Sequence, residues 1–171
     1  MIGPVFVDAN VFVYAYDTRF PNKQELARAW LAHVWAEQIG RTSFQVISEF
    51  YTTVTRKLKP GLRPDDAWYQ AVRLLEWQPQ TIDKSVLQRA REIEQRHRLS
   101  WWDSMIVAAA QLQDCSLLLT EDLHDGATFG SVTVRSPFTL SVDEPRAAYE
   151  VPAFVSRHPP RGRPRKQAVA R

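Results

Sequence analysis

Carboxylates stand at the ends of several apolar segments of this chain, and they are its main candidates for chemistry. Asp8 directly follows the apolar run Val5–Val7, and a group of acids follows a second run at 116–119. Asp103 lies three residues after Ser100, where an alanine-rich helical pattern begins. Each acid also has a structural explanation, since acids favour turns and helix starts, and the Ser-x-x-Asp spacing resembles a capping box. The case for chemistry therefore depends on whether the acids meet in space.

The pattern of apolar residues predicts elements that would bring them together. Short apolar runs at 5–7, 116–119 and 132–134 are typical of strands buried on both faces, and 81–82 is a further short candidate. Helical patterns separate most of these runs. This alternation predicts an α/β domain with a parallel sheet covered on both sides. The predicted helices span 22–38, a segment from 42 to 59, a segment from 64 to 77, 84–98 and 100–111. Trp30 and Trp35 are expected to pack in the core, and Asn10 could cap the segment after Asp8. The residues of 84–98 that are expected to face inward are Val86, Leu87, Ala90 and Ile93.

In such a sheet, strand carboxyl ends and the following helix starts lie along one edge. Asp8, Asp103 and Asp122 are therefore expected to converge. Glu49 lies at the border of the apolar stripe of its predicted helix and could complete the group. Clustered carboxylates repel one another, and a divalent cation compensates that repulsion. All-oxygen ligands without a Cys or His cluster favour Mg²⁺ or Mn²⁺ over Zn²⁺, and such ions commonly act on phosphate esters.

Four segments also carry a family resemblance: VDANVFVYAY, SEFY, LSWWDSMIVAAA and LLLTEDL, in this order between residues 4 and 138. Together they resemble PIN-domain ribonucleases, especially the VapC-like toxins of bacterial type II toxin–antitoxin modules. The resemblance implies a three-layer α/β/α sandwich with a central, mainly parallel sheet. It also implies a homodimer that cleaves RNA internally, leaving a 3′-hydroxyl and a 5′-phosphate. An antitoxin protein would inhibit this activity, often by inserting a basic side chain into the acidic pocket.

The resemblance assigns the catalytic, metal-binding acids to Asp8, Glu49, Asp103 and Asp122. Spacing alone does not choose among Glu121, Asp122 and Asp125 for the fourth acid. Asp122 is preferred because it matches the family's Thr-x-Asp pattern. Thr120 matches a position that helps to hold a metal or a phosphate, and Glu121 remains a further candidate ligand.

Composition sets outer limits on the function. With 171 residues, 44% of them hydrophobic and 24% charged, the chain fits one globular domain with an appendage. Cys115, the single cysteine, excludes an internal disulfide and is expected to be buried, which suits the cytoplasm. No apolar stretch approaches the roughly 20 residues needed to span a bilayer.

The positive charge is concentrated at the C-terminal end. Residues 151–171 hold six of the 22 Lys and Arg residues and no acid, which leaves 16 basic and 19 acidic residues before them. We therefore expect a nuclease domain at 1–140, a strap at 141–156 and a disordered basic tail at 157–171. The tail resembles an AT-hook, which lays arginines in the minor groove of DNA, although a solubilising or phosphate-attracting tail explains it at least as well. Its basic residues include Arg161, Arg163, Arg165 and Lys166.

The main hypothesis is thus a Mg²⁺- or Mn²⁺-dependent endoribonuclease in which Asp8, Asp103 and Asp122 hold metal. Glu49 would hold a second ion or orient the attacking water. One alternative is a non-catalytic nucleic-acid-binding protein that uses its tail and whose acids are structural. Another is a metal-dependent phosphatase that acts on a small phosphate ester.

Overall fold

The computed structural model describes residues 3–140, so the predicted strap and basic tail lie outside the described residues. Within that range one five-stranded sheet is accompanied by six α-helices. The strands are β1 (Val5–Val7), β2 (Gly40–Arg41), β3 (Leu117–Leu119), β4 (Thr128–Phe129) and β5 (Val132–Arg135). The helices are α1 (Ala9–Tyr14), α2 (Pro21–Ala36), α3 (Phe44–Thr52), α4 (Pro64–Arg73), α5 (Lys84–His97) and α6 (Trp101–Leu112). A π-helical turn (Thr53–Lys57) extends α3, and a 3₁₀ turn (Leu74–Trp77) extends α4.

The sheet has the strand order β2-β1-β3-β5-β4. β1 pairs in parallel with β2 and β3, β3 pairs in parallel with β5, and β4 joins β5 antiparallel at the edge. Every residue of β1 and β3 is buried, as expected for strands covered on both faces. The predicted α/β class and mainly parallel sheet are confirmed. Because β1 and β3 are parallel neighbours, the residues that follow them emerge side by side.

Several local predictions differ from the structure. β2 and β4 were not predicted, because a strand of two residues is too short to show a periodic pattern. The predicted strand at 81–82 is absent; instead, Gln80 forms an isolated bridge with Ser43. Leu87 was expected to face inward on α5 but is 42% exposed, whereas Val86 and Ala90 are buried as predicted.

Helix α6 runs through the core of the domain. All seven residues from Ser104 to Ala110 are buried, and the helix packs along α5. Its alanine side chains are small enough to let the neighbouring backbones approach closely. Cys115 is buried immediately before β3, as the sequence predicted. Among residues 3–140, no helix combines the length and the hydropathy required to cross a membrane.

Trp30 of α2 ties the end of the described chain to the core. Its side chain is 1% exposed, and its indole N–H donates to the carbonyl of Leu140 at 2.8 Å. Trp35, on the same helix, is partly buried against the core and lies 5.0 Å from the ring of Trp77. Both tryptophans are thus packing residues, as their helical spacing predicted.

Gly40 provides a test of the packing around β2. A Cβ atom at this position would lie 2.6 Å from Cε2 of Trp77, a ring that is itself buried against Phe12 and Trp35. We expect Gly40→Ala to lower the free energy of unfolding by about 1–3 kcal/mol, because a buried indole has no room to move aside. Chemical denaturation measures this loss.

The double variant Gly40→Ala/Trp77→Phe provides the control. The smaller ring leaves room for the added methyl group, so the double variant should lose less stability than the two single changes added together. Additive losses would show that the contact with Trp77 is not the cause.

Candidate active site

Asp8 occupies the junction between β1 and α1. Its extended backbone ends the strand, and its side chain caps the helix by accepting a hydrogen bond from the N–H of Ala9 at 2.7 Å. The other carboxylate oxygen accepts from the hydroxyl of Thr120 at 2.8 Å. Thr120 directly follows β3, so the parallel pairing of the two strands creates this contact. The result is a carboxylate that is only 7% exposed at the edge of the sheet.

Asn10 joins the acids of this edge into one network. Its side-chain Nδ2 donates to Thr120 Oγ1 at 2.9 Å, to Asp122 Oδ2 at 3.0 Å and to Asp8 Oδ2 at 3.4 Å. Thr120 Oγ1 also accepts from the backbone N–H of Asp122 at 3.1 Å. Asp8, Asn10, Thr120 and Asp122 are therefore held together by direct hydrogen bonds.

The sequence predicted a different role for Asn10. It was expected to cap a helix, but Asp8 is the cap and Asn10 is the second residue of α1. The available signal was its position two residues after an acid at a strand end, which places it at the same edge of the sheet. Asn10 Oδ1 is buried and has no hydrogen-bond partner within residues 3–140.

The three acids that follow β3 have separate surroundings. Asp122 lies in the Asn10 network, whereas Glu121 accepts a 2.6 Å bond from Lys23. Asp125 is held by the N–H of Ser136 at 2.9 Å and by the side chains of Thr139 and Arg135, each at 3.1 Å. These contacts bring Asp122 towards Asp8 and give Asp125 a turn-stabilising position.

Lys23 compensates the charge of Glu121. Besides that ion pair, its ammonium group donates to the hydroxyl of Tyr14 at 3.2 Å. The same group lies 4.5 Å from the ring centroid of Tyr14 and 4.8 Å from that of Phe138. Glu121 is therefore paired with a cation, whereas Asp122 faces the other acids.

Asp103 lies in the first turn of α6, where the Ser-x-x-Asp spacing predicted it. Ser100 caps α6 by accepting from the N–H of Asp103 at 3.1 Å, and the Ser100 hydroxyl donates to Asp103 Oδ2 at 2.7 Å. The single hydroxyl group satisfies the helix end and orients the carboxylate. Capping and a role in a site are thus compatible for Asp103.

Glu49 approaches the other acids from α3. Its side chain is exposed, and partial loss of hydration is the main cause that raises the pKa of its carboxyl group. The negative charges of Asp122 and Asp103 raise that pKa further, and the nearby Lys57 opposes them. Glu49 therefore interacts electrostatically with each of the other three acids. Asp8 and Asp122 also share hydrogen-bonding partners in Asn10 and Thr120.

The carboxyl group of Asp8 has a strongly raised pKa. Burial raises the pKa of its carboxyl group, and the charges of Asp122 and Glu49 add to this effect. The hydrogen bonds from Thr120 and Ala9 act in the opposite direction, and the resulting pKa is about 7. A protein that keeps a carboxylate in this environment has stored an electrostatic cost that a cation would offset.

The residues of the edge fit a hard divalent cation in their chemistry. The ligands on offer are carboxylate, hydroxyl and amide oxygens, including the unpaired Oδ1 of Asn10. Across residues 3–140, however, no three Asp, Glu, His or Cys side chains lie close enough to form a ready-made metal site.

A cavity of about 370 Å³ lies beside the opposite end of α1. Aromatic side chains line it, and none of the four acids does. The guanidinium of Arg28 donates to the carbonyl of Ala15 at 2.8 Å, and that of Arg73 lies 5.3 Å from the ring of Trp35. Burial raises the pKa of the Tyr16 phenol, and the positive charges of Arg73 and Arg28 oppose that increase. The lining includes Phe12, Tyr16, Arg28, Trp35, Phe50 and Arg73.

The sequence matches the PIN domain family over residues 5–124. Among solved structures, the chain is similar to a protein of a toxin–antitoxin complex from Klebsiella pneumoniae, with 18% identity and a TM-score of 0.55. That match covers 78% of this chain and 97% of the other. A second similar structure is Mycobacterium tuberculosis VapC20, a sarcin-ricin loop cleaving toxin, with 17% identity, a TM-score of 0.49 and coverage of 69% and 89%. No curated protein matches the sequence.

Asp125 provides a test of the different surroundings of the three acids after β3, because its contacts indicate a structural role. Burial alone would raise its pKa, but the bonds from Ser136, Thr139 and Arg135 outweigh burial and hold the pKa below the usual 3.8. Its stabilising contribution is therefore present above pH 3.8 and is lost as the pH falls through the lower folded-state pKa. We expect Asp125→Asn to cost about 1–2 kcal/mol at pH 7, and the difference from wild type to shrink below pH 3.8.

Thermal unfolding across this pH range checks the result, with Glu25→Gln, a change at an exposed acid of α2, as the control. A loss at pH 7 no greater than that of the control would contradict the structural role of Asp125.

Proposed function

The chain belongs to the PIN domain family, and we propose that it is a metal-dependent endoribonuclease that hydrolyses RNA phosphodiester bonds. The observation that carries this proposal is the network in which Asn10 and Thr120 join Asp8 to Asp122 at adjacent strand ends. Glu49 lies within electrostatic reach of Asp8 and Asp122, and Asp103 lies within electrostatic reach of Glu49. A buried carboxylate beside further acids is an unfavourable core element but a suitable cation ligand.

In this proposal, Asp8, Asp103 and Asp122 hold Mg²⁺ or Mn²⁺, and Glu49 holds a second ion or orients the attacking water. When bound, such an ion activates water and neutralises the charge that develops on the phosphate. Thr120 and Asn10 position the ligands, because each donates a hydrogen bond to Asp8. Glu121 is a less suitable ligand, since Lys23 already neutralises it.

Each side chain of the proposed site is positioned by its own element. Asp8 is fixed by the start of α1, Asp122 by the loop after β3, and Asp103 by its bond to the capping Ser100. Glu49 belongs to α3, where the charges of Asp122 and Asp103 act on its carboxyl group. The proposed ligands and their orientation therefore come from four separate places in the sequence.

We further propose that the chain is the toxin of a toxin–antitoxin pair, that it works in the cytoplasm and that it forms a homodimer. The Klebsiella pneumoniae protein of the same fold comes from a toxin–antitoxin complex. The cavity lined by Phe12 and Trp35 offers an antitoxin apolar contacts, and Arg28 and Arg73 would attract an acidic side chain there. Residues 1–140 are proposed as the nuclease domain, 141–156 as a strap, and 157–171 as a tail that makes weak contacts with DNA.

Cleavage of RNA with and without Mg²⁺ tests the proposed activity. We expect wild type to cut a single-stranded RNA in Mg²⁺ and to stop when EDTA is added. Asp103→Asn should slow cleavage at least about 100-fold, because it removes a charged ligand while Ser100 can still cap the helix. Gel analysis of end-labelled RNA measures the rate.

Matched changes separate this result from a general loss of charge. Asp122→Asn should resemble Asp103→Asn, whereas Asp66→Asn, at an exposed acid of α4, should cut at the wild-type rate. Wild-type cleavage by Asp103→Asn would refute the ligand assignment. Release of phosphate from a model ester with intact RNA would favour a phosphatase. RNA or DNA binding that needs residues 157–171, without any cleavage, would favour the non-catalytic alternative.

Growth of bacteria that express the chain tests the proposed toxin role. We expect induction of wild type to arrest growth, because a nuclease without its antitoxin destroys cellular RNA. Asp103→Asn, expressed to the same level, should leave growth unchanged. Equal arrest by both proteins would separate toxicity from cleavage and contradict the toxin assignment.

A further inference from the structure

An exposed indole stands beside the acidic edge. Trp102 directly precedes Asp103 in the first turn of α6, and 63% of its surface is exposed. Its neighbour Trp101 packs against the core, so the two adjacent tryptophans have opposite environments. A solvent-exposed tryptophan leaves a large apolar surface unburied, and packing within the described domain does not account for its position.

The contacts between α3 and α6 place Trp102 relative to the acids. Gln45 Nε2 donates to the backbone carbonyl of Trp102 at 3.4 Å. Gln45 lies four residues before Glu49, so both occupy the same face of α3. The first turn of α6 therefore adjoins the α3 face that carries Glu49. Trp102 and Asp103 leave the same first turn of α6, with their side chains rotated by roughly 100° from each other, so the indole flanks the carboxylate rather than covering it.

The negative charge of the edge favours an uncharged contact as a source of RNA affinity there. Asp8, Glu49, Asp103 and Asp122 are all acidic, and RNA is a polyanion, so Coulomb interactions with the acids oppose binding. A base stacked on an aromatic ring gains affinity without involving phosphate charge. Single-stranded RNA exposes its bases for such stacking.

We propose that Trp102 is a binding platform on which one nucleobase of the RNA substrate stacks, next to the phosphodiester bond that is cut. This inference rests on the proposed ribonuclease function and adds to it a residue that positions the substrate. The indole contacts a base rather than the reacting phosphate. Its removal should therefore weaken substrate binding and leave the chemical step largely intact.

The experiment uses the full chain and a set of single-stranded RNA oligonucleotides in which one abasic nucleotide is moved along the sequence. With intact RNA, we expect Trp102→Ala to raise KM about 10- to 100-fold, equivalent to about 1.4–2.8 kcal/mol, with kcat within about threefold of wild type. Trp102→Phe should restore most of the loss, because a phenyl ring also stacks. An abasic nucleotide next to the cleaved bond should weaken RNA binding by wild type but should not weaken binding by Trp102→Ala.

Trp68 offers a matched control. It is also 63% exposed, but it lies on α4, where its ring packs 6.4 Å from that of Tyr51. Trp68→Ala should keep the wild-type KM and the wild-type response to abasic RNA. Equal effects of the two alanine changes, or equal sensitivity of wild type and Trp102→Ala to the abasic nucleotide at every position, would overturn the proposal.

Two further measurements distinguish base stacking from a failure of the proposed activity and from a contact between subunits. Fluorescence anisotropy in EDTA measures RNA binding without cleavage, so a missing activity would refute the proposed function while the abasic comparison still tests stacking. Sedimentation of Trp102→Ala measures the oligomeric state. If the change separates subunits and leaves the abasic response intact, the indole is a contact between two copies of the chain, and the stacking proposal is wrong.

Discussion

The burial of Asp8 is the constraint on which the acidic edge depends. A carboxylate placed between the ends of two parallel strands loses most of its hydration, and its pKa rises to about 7. Three groups donate hydrogen bonds to it: the N–H of Ala9, the hydroxyl of Thr120 and the amide of Asn10. These hydrogen bonds offset only part of the free energy that the Asp8 carboxylate loses on burial. A positive charge bound at this edge would therefore be favourable.

Asp103 shows how one residue can satisfy the fold and the site together. The hydroxyl of Ser100 closes the first turn of α6 and also holds the Asp103 carboxylate. Local helix chemistry thus orients the acid through contacts within a single turn. Asp8 combines two roles in a similar way, since it caps α1 while it receives a bond from Thr120 across the sheet.

The sequence was sufficient to predict the elements that carry a strong local pattern. β1, β3 and α6 follow from apolar runs and a capping signal, and a parallel sheet then brings Asp8 and Asp122 to one edge. The partners in three dimensions were harder to predict. Asn10 binds residues about 110 positions away, and the pairing of Lys23 with Glu121 spans 98 positions, so no local pattern reveals either contact. Leu87 faces outward because α5 buries a narrower stripe than its apolar residues suggest.

The alanines of α6 limit how this protein can change. At 108–110 each side chain is already small and buried, so a larger residue would push the whole helix away from its neighbours. Asp103 lies on the same helix, about 7 Å along the axis from Ala108, and would be displaced with it. A substitution in this buried part of α6 would therefore shift Asp103 relative to the other acids of the edge. Substitutions that disturb the packing of α6 are therefore expected to disturb the geometry of the acidic edge as well.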